Sequence, residues 1–476
     1  MSHPALVRYA GLAGSVLLAV AAYLGGADRP WAPTMTPRTI VAGDDGVLLP
    51  LAWLLGTVLL IGAWWAGRNA VPSARWAYLT AALWAVPLLP MLPLGSYDVY
   101  SYACQGFALS AGQDPYSAGV QALGCPWLDA VSPTWRESPA PYGPVFLVLA
   151  AFAAKVGGSL TGTLAVLRIV AVLGVVLIAV CLPVLARVRG VPLARAAWLA
   201  LACPLVAIHL VSGAHNDAVM VGFLVAALAI PLGAQSKGVI LPGAQSKGVI
   251  PPGAQSKAWW RTVVAGVLLG LAIGVKATAV VVVPFVVLMS VPSGSGLKAL
   301  VRPAAGVLGG AVATLAAVSL ATGLGFGWIT NLADSGVSVQ WTSPPTAVGM
   351  TVQLITGWDA VPVTRIIGIA GLAAVLIVLW WRSRSGDALL GAGLALAATV
   401  VLAPVFHPWY LTWPLAVLAA TLRRDTLWLI APCAVAAALC LPDGYNLALA
   451  TKAQGAVLVT ALVAFVLVKT SRRWIA

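Results

Sequence analysis

The stretch GSYDVYSYACQG, residues 95–106, sets one carboxylate among hydroxyls and an amide. On a helix, Asp98, Ser101, Tyr102 and Gln105 stand at i, i+3, i+4 and i+7 and share one face. Such a face can grip a sugar and take a proton from one of its hydroxyls. Spacing alone serves a plainer reading as well, in which the stretch is a polar cap on a helix end. Tyr97, Tyr100 and Tyr102 then belong to an interfacial aromatic belt. No Lys or Arg adjoins Asp98 in sequence, so no neighbour in the chain holds its pKa down.

Other polar residues interrupt apolar surroundings. GAHNDAVMVG places His215, Asn216 and Asp217 together, more than one helix cap needs, although Asn216 or Asp217 would make a good one. Lys276 breaks the apolar run around GVKATAVVVVPF, and His407 opens the aromatic-rich FHPWYLTW. An ionisable residue at membrane depth is a functional hypothesis by default, and Lys276 or His407 suits a phosphate. Arg168, just inside another apolar run, either snorkels or faces the same site. Asp114 precedes Pro115 in a turn signal, and Glu137 beside Arg136 reads as a local ion pair. The six cysteines form no CxxC pattern. Cys104 and Cys125 fall in one loop on the oxidising side, where a disulfide is expected to close that loop.

The elements that must position these groups are membrane helices. The 476 residues are 61% hydrophobic and 8% charged, with a mean hydropathy of +0.97. A soluble domain carries roughly 25% charged residues, so a soluble globular fold is excluded. Apolar runs predict an all-α, polytopic bundle of about fourteen spans, within a range of about 12–15. They lie near 5–24, 48–66, 76–94, 163–187, 196–212, 217–232, 262–275, 277–291, 303–322, 363–381, 387–405, 409–421, 426–442 and 453–470. Several are short, as tilted, broken or re-entrant pieces would be.

With a cytoplasmic N-terminus, Arg68, Arg75, Arg187, Arg189, Arg195, Arg382 and Arg384 face inward. Asp98, Asp114, Asp129, Asp217, Asp359 and Asp443 face outward. This positive-inside sorting explains the net charge of +14 without a nucleic-acid partner. It also requires that 143–158 not cross, so PYGPVFLVLAAFAAKVGG is predicted to be a helix lying on the outer surface. The run from Leu6 to Leu24 also has some features of a cleaved signal peptide but reads better as the first span. The long outer segments 95–162 and 323–362 are of a length that usually marks function. Residues 231–260 repeat PLGAQSKGVI, LPGAQSKGVI and PPGAQSKAWW, a period of ten that suits a flexible cytoplasmic linker. The organisation expected is two helices over 1–74, a core over 75–322, and an outer loop with C-terminal helices over 323–476.

The motifs GSYDVYSYACQG…GQDPYS, W…SPAPYGPVFL, GAHNDAVMVG, VKATAVVVVPF, WTSPPTAVG and FHPWYLTWPL together resemble the actinobacterial α-1,6-mannopyranosyltransferases that use polyprenol-phosphate mannose and build the lipomannan backbone. These belong to the GT-C class of integral membrane glycosyltransferases. The resemblance covers about residues 80 to 415. It implies a GT-C-type bundle with two juxtamembrane helices in the first large outer loop, the second on PAPYGPVFLVLAAFAAKVGG. Two spans before the Asp98 loop, where many of the class have one, and the ten-residue repeat depart from that pattern.

The resemblance further implies inverting transfer of mannose, at the outer face of the plasma membrane, to a mannosylated glycolipid acceptor. Asp98 would be the base. Lys276, His407 and Arg168 are the candidates for the donor phosphate. Tyr102, Gln105, Asp114, His215, Asn216 and Asp217 are the candidates for sugar and acceptor, with Trp341 and Trp409 as apolar faces. Asp98, Asp114 and Asp217 would suit a divalent metal, but a lipid-phosphate donor needs none, so no metal and no cofactor are expected. Linkage, acceptor and oligomeric state stay open. A transporter or flippase of lipid-linked sugars explains the spans equally well but is expected to carry midplane polar groups and repeat symmetry, neither of which the sequence has.

Overall fold

The computed structural model describes residues 3–235, 252–332, 338–423 and 427–475. Most of the predicted linker repeat therefore lies outside the described residues. Among those described, the only β pairing is one isolated bridge, Cys440 with Asn446.

The longer helices are α1 (Pro4–Gly25), α2 (Leu48–Gly67), α3 (Ala74–Ala85), α4 (Asp98–Ser110), α5 (Pro144–Gly157), α6 (Leu160–Arg189), α7 (Leu193–Leu201), α8 (Asp217–Gln235), α9 (Pro252–Val275), α10 (Val283–Met289), α11 (Leu297–Thr322), α12 (Pro344–Thr356), α13 (Val361–Ser383), α14 (Ala388–Leu402), α15 (Thr412–Leu418), α16 (Leu427–Ala438) and α17 (Lys452–Ile475). Among the described residues, six of them are long and apolar enough to cross a membrane: α1, α2, α6, α11, α13 and α17. A seventh span forms if α7 and the π-helix Val206–Ser212, bent by 63° from each other, are counted as one.

The expected count of about fourteen spans, several of them short, is not confirmed by helix length among the described residues. Each apolar run meets helix, yet most of the remainder are short or broken. Proline and charge are the cause. Pro204 separates α7 from the π-helix, Lys276 ends α9, and Pro408 opens a 3-10 turn in the run leading into α15. Lipid offers no partner for the backbone groups such breaks release, so broken segments must lie inside protein. Around the Pro204 break they do: Ala196–Cys203, Leu205–Ala218 and Val219–Met220 are buried almost throughout.

Helix α5 has 14 residues, about 21 Å at 1.5 Å per residue, which is too short for a bilayer core of roughly 30 Å. It buries Phe146, Leu147, Ala150 and Ala153 and exposes Val148, Phe152 and Val156, one apolar face in and one out. Its inner face lies against α4 at close range. A Cβ added at Gly106 would stand 2.2 Å from the Ala150 carbonyl oxygen. At its N-terminal corner, a Cβ at Gly143 would stand 2.5 Å from the carbonyl of Gly274, two residues before Lys276. Glycines thus let α5 pack closely on α4 and its N-terminal corner on the chain two residues before Lys276. Cys104 and Cys125 are joined by a disulfide that ties α4 to the rest of that loop.

Candidate active site

Two short, irregular segments deliver the polar groups. Gly95, at φ 69°, turns the chain into α4, and Asp98 occupies the first helical residue, its backbone N–H donating to Ser96 Oγ at 3.1 Å. On the other side, the π-helix ends at Ser212 and is followed by Ala214 at φ 49°, the only non-glycine residue with positive φ among those described. A π-helix and a left-handed alanine are each costly, and such strain gathers at functional positions. Here they swing His215 toward α4.

His215 Nδ1 lies 3.8 Å from Asp98 Oδ2 and 3.4 Å from the Tyr102 hydroxyl. Its ring stacks on Trp409 at 3.9 Å between centroids, and Trp409 stacks in turn on His407 at 4.6 Å. The three rings form a column that runs from Asp98 to the C-terminal part of the chain. Next to His215 in sequence, the buried Asn216 has both side-chain amide atoms without a partner, as has His215 Nε2. Gln105, one face turn along α4, keeps Oε1 free while Nε2 reaches Ser101 Oγ at 3.4 Å. Buried groups left open in this way are set to receive a polar ligand.

The first residue of α8, Asp217, is fully buried and forms a bidentate pair with Lys276, Nζ standing 2.9 and 3.0 Å from its two oxygens. The indole N–H of Trp413 donates to the same carboxylate at 2.6 Å. Lys276 also lies 4.4 Å from the ring of Tyr410 and 5.3 Å from that of Trp413. The ammonium is thus enclosed by one carboxylate and two aromatic faces, a setting that offsets its desolvation.

Asp98 itself is 19% exposed at its side chain and looks into a narrow cleft lined by Ser101, Gln105, Trp135, Ser138 and Tyr142. Burial pushes its carboxyl up from 3.8 to about 6, against the opposing pull of Lys276 and hydrogen bonds from Ser96 and Trp135. The sequence shows no cation near Asp98; the fold supplies one in Lys276, and desolvation still outweighs it.

The fold does not bring all the expected residues together. Asp114 is exposed in a turn, accepting the Tyr116 backbone N–H at 2.8 Å. Trp341 donates to the Ala448 carbonyl at 2.7 Å and covers Gly455. Arg168 lies on α6 with its terminal nitrogens on the carbonyls of Leu89 and Ser212, facing a lateral groove behind α4. Glu137 makes no ion pair with Arg136 among the described residues; Arg136 Nε turns to the Val131 carbonyl at 2.9 Å.

Sequence reasoning passed over His209, Tyr410, Trp413 and Tyr142. His209 is buried on the π-helix, with Nε2 2.9 Å from Cys440 Sγ and its ring 5.1 Å from that of Trp409. A lone histidine inside the apolar LVAIHLVSG was the available signal. Tyr410 and Trp413, three apart in PWYLTW, have the spacing of a shared helix face. Among the described residues, no three His, Cys, Asp or Glu side chains converge as a metal site would need.

Comparison with known proteins bears on this arrangement. Residues 8–292 match the family described as alpha-(1->6)-mannopyranosyltransferase, N-terminal domain, and residues 345–470 match the MptB C-terminal domain. The chain is 32% identical to alpha-(1->6)-mannopyranosyltransferase A of Mycobacterium tuberculosis, over 86% of this chain and 79% of that protein. It is 30% identical to alpha-(1->6)-mannopyranosyltransferase B of Corynebacterium glutamicum, over 82% and 66%. Among solved structures, the oligosaccharyltransferase of Archaeoglobus fulgidus overlays 80% of this chain and 55% of its own, at 16% identity and a TM-score of 0.36.

Proposed function

The chain belongs to the alpha-(1->6)-mannopyranosyltransferase family, and from that membership we propose that it moves mannose from polyprenyl-phosphate mannose to a hydroxyl of a mannosylated glycolipid. The enzyme is a glycosyltransferase of the membrane, and the transporter alternative has no support left once the relatives are named as transferases. The finer reading is that of a GT-C-type inverting enzyme that works at the outer face of the plasma membrane, termini inside, and forms an α-1,6 bond.

The observation that carries the reading is Asp98: a carboxylate at the floor of a narrow cleft, raised to about 6, beside open hydrogen-bonding groups. A group titrating there is ionised at neutral pH yet basic enough to accept a proton as bond formation acidifies a hydroxyl. In the step, the acceptor oxygen attacks C1 of the mannosyl group and gives its proton to Asp98. The bond from C1 to the phosphate oxygen breaks on the opposite face, and polyprenyl phosphate leaves with the electron pair. One carboxylate suffices for a β-linked donor to give an α-product, with no covalent intermediate and no nucleotide or metal in the scheme.

Negative charge develops on the departing phosphate and needs a positive counterpart. Two of the three N–H groups of Lys276 are committed to Asp217, which leaves one; His407 stands at the outer end of the ring column. These two are the proposed phosphate partners. Asn216, His215, Tyr102 and Gln105 are the proposed sugar ligands, and Trp409 is the apolar platform.

Transfer by purified protein from a short-chain polyprenyl-phosphate mannose to an α-mannoside tests the reading. Wild type should transfer, and Asp98→Asn, still binding donor, should be slower by about a thousandfold or more. An equal rate in both would remove Asp98 as the base.

A further inference from the structure

We propose that Arg168 is a positioning residue that sets the distance between Asp98 and His215 without touching either; the proposal rests on the reading of Asp98 as the base. Arg168 Nη1 donates to the Leu89 carbonyl at 2.5 Å and Nη2 to the Ser212 carbonyl at 2.8 Å. Both acceptors stand where helical segments stop. Leu89 follows the 3-10 turn Val86–Leu88, and Ser212 is the last residue of the π-helix. Carbonyls at such ends lack an intrahelical partner, and a planar guanidinium with two parallel nitrogens can serve a pair of them at once.

Ser212 strengthens the tie. Its hydroxyl accepts the Leu94 N–H at 3.2 Å and lies 3.5 Å from the Leu92 carbonyl. The strand of chain from Leu89 to Leu94 is therefore fastened along its length to the end of the π-helix. Asp98 follows Leu94 by four residues, and His215 follows Ser212 by three. The only turns between carry fixed positive φ, at Gly95 and Ala214. Once Leu89, Leu94 and Ser212 are held together, little freedom remains in the 3.8 Å separation of the carboxylate and the imidazole. Arg168 forms no ion pair among the described residues, and its terminal nitrogens are spent on backbone rather than aimed at the Asp98 cleft. Lysine in its place has a point charge but no fork to span both carbonyls.

The test uses the full-length enzyme with Arg168→Lys, Arg168→Gln and Arg168→Gly. Transfer from polyprenyl-phosphate mannose is measured against pH, and backbone hydrogen exchange is followed over residues 89–98 and 206–217. Displacing a base by about 1 Å costs on the order of a hundredfold. All three variants are thus expected to lose at least about tenfold in kcat with donor KM within about threefold of wild type. The acidic limb of the pH profile should move below that of wild type as Asp98 loosens from its buried setting. Exchange should quicken in both segments, and added guanidinium ion should restore part of kcat to Arg168→Gly. A donor KM raised more than about tenfold with kcat retained would make Arg168 a phosphate ligand and overturn the proposal. Unchanged exchange in both segments would overturn it as well. If Asp98→Asn, run in parallel, keeps its rate, the base assignment fails and the exchange measurement alone decides the role of Arg168.

Discussion

Lys276 holds both oxygens of Asp217, at 2.9 and 3.0 Å, across 59 residues of chain, and Trp413 donates to the same carboxylate from a third part of the sequence. A buried pair broken on one side leaves an uncompensated charge and costs about 3–5 kcal/mol, whereas replacing both partners by apolar residues is often close to neutral. Lys276→Met and Asp217→Asn should each lower the thermal unfolding temperature in detergent more than the double variant Lys276→Met/Asp217→Leu. A double variant as unstable as the singles would show that the pair does not act as a unit.

The Asp98 carboxyl, raised from 3.8 to about 6, gives transfer a pH dependence of known sign. As the proposed base, Asp98 works when ionised, so the rate should rise through about pH 6 and level off above it. Stability runs the other way. The folded chain holds a proton between about pH 4 and pH 6 that the unfolded chain has released, so the contribution of Asp98 to stability is lost as pH rises through that window. At neutral pH the penalty is at most about 3 kcal/mol. Asp98→Asn should therefore be both inactive and more resistant to thermal unfolding at pH 7 than wild type. A lower unfolding temperature would contradict the burial of this charge.

The ring column makes Trp409 a support for two imidazoles at once. Trp409→Ala should cut kcat/KM by about tenfold to a hundredfold, with Trp409→Phe in between, since each stacked contact is worth about 0.5–1.5 kcal/mol beyond area. A steady-state assay across mannoside concentrations reads this directly, and an unchanged kcat/KM would dismiss the column as mere packing.

Gly106 faces the Ala150 carbonyl with no room for a methyl group. Gly106→Ala should push α4 and α5 apart, destabilise by about 1–3 kcal/mol and lower activity by moving Asp98. Cys104→Ser should also destabilise, by about 3 kcal/mol, because the disulfide it removes closes a loop with a sequence separation of 21. Unfolding curves for both variants, with and without reductant, separate the two effects: only the wild type and Gly106→Ala should respond to reductant.

Much of the site was legible because polar residues stand out in an apolar chain. Asp98, His215, Asn216, Asp217, Lys276 and His407 converge as a membrane-boundary pattern suggested, and α5 lies too short to cross, as charge sorting required. Helix length does not confirm the count of about fourteen spans, and the reason is physical. Hydropathy measures how apolar a run is, whereas Pro204, Lys276 and Pro408 decide whether the run stays one helix. Arg168 meets two carbonyl oxygens, and in sequence an arginine in an apolar stretch looks the same whether it meets a ligand or backbone. Asp114 lies in an exposed turn and Trp341 over Gly455, and no spacing rule distinguishes a tryptophan over a sugar from one over a glycine.

Between α14 and the 3-10 turn at Pro408, the chain has no helix to occupy its carbonyls, and three hydroxyls from the segment around the start of α12 supply the missing donors. Thr342 serves Phe406, Ser343 serves Ala403 and Thr346 serves Pro404, at 2.6–2.7 Å. Seen in the order of synthesis, this clasp exists before the residues it will hold. A ribosome emits Asp98, His215, Asp217 and Lys276 first, then the hydroxyls, and only then His407, Trp409 and Trp413. For that interval the Asp217 carboxylate has Lys276 but not the indole N–H, and the imidazole of His215 has no ring to rest on. The ring column and the third contact to Asp217 are therefore completed only by the last segment of the site to be made.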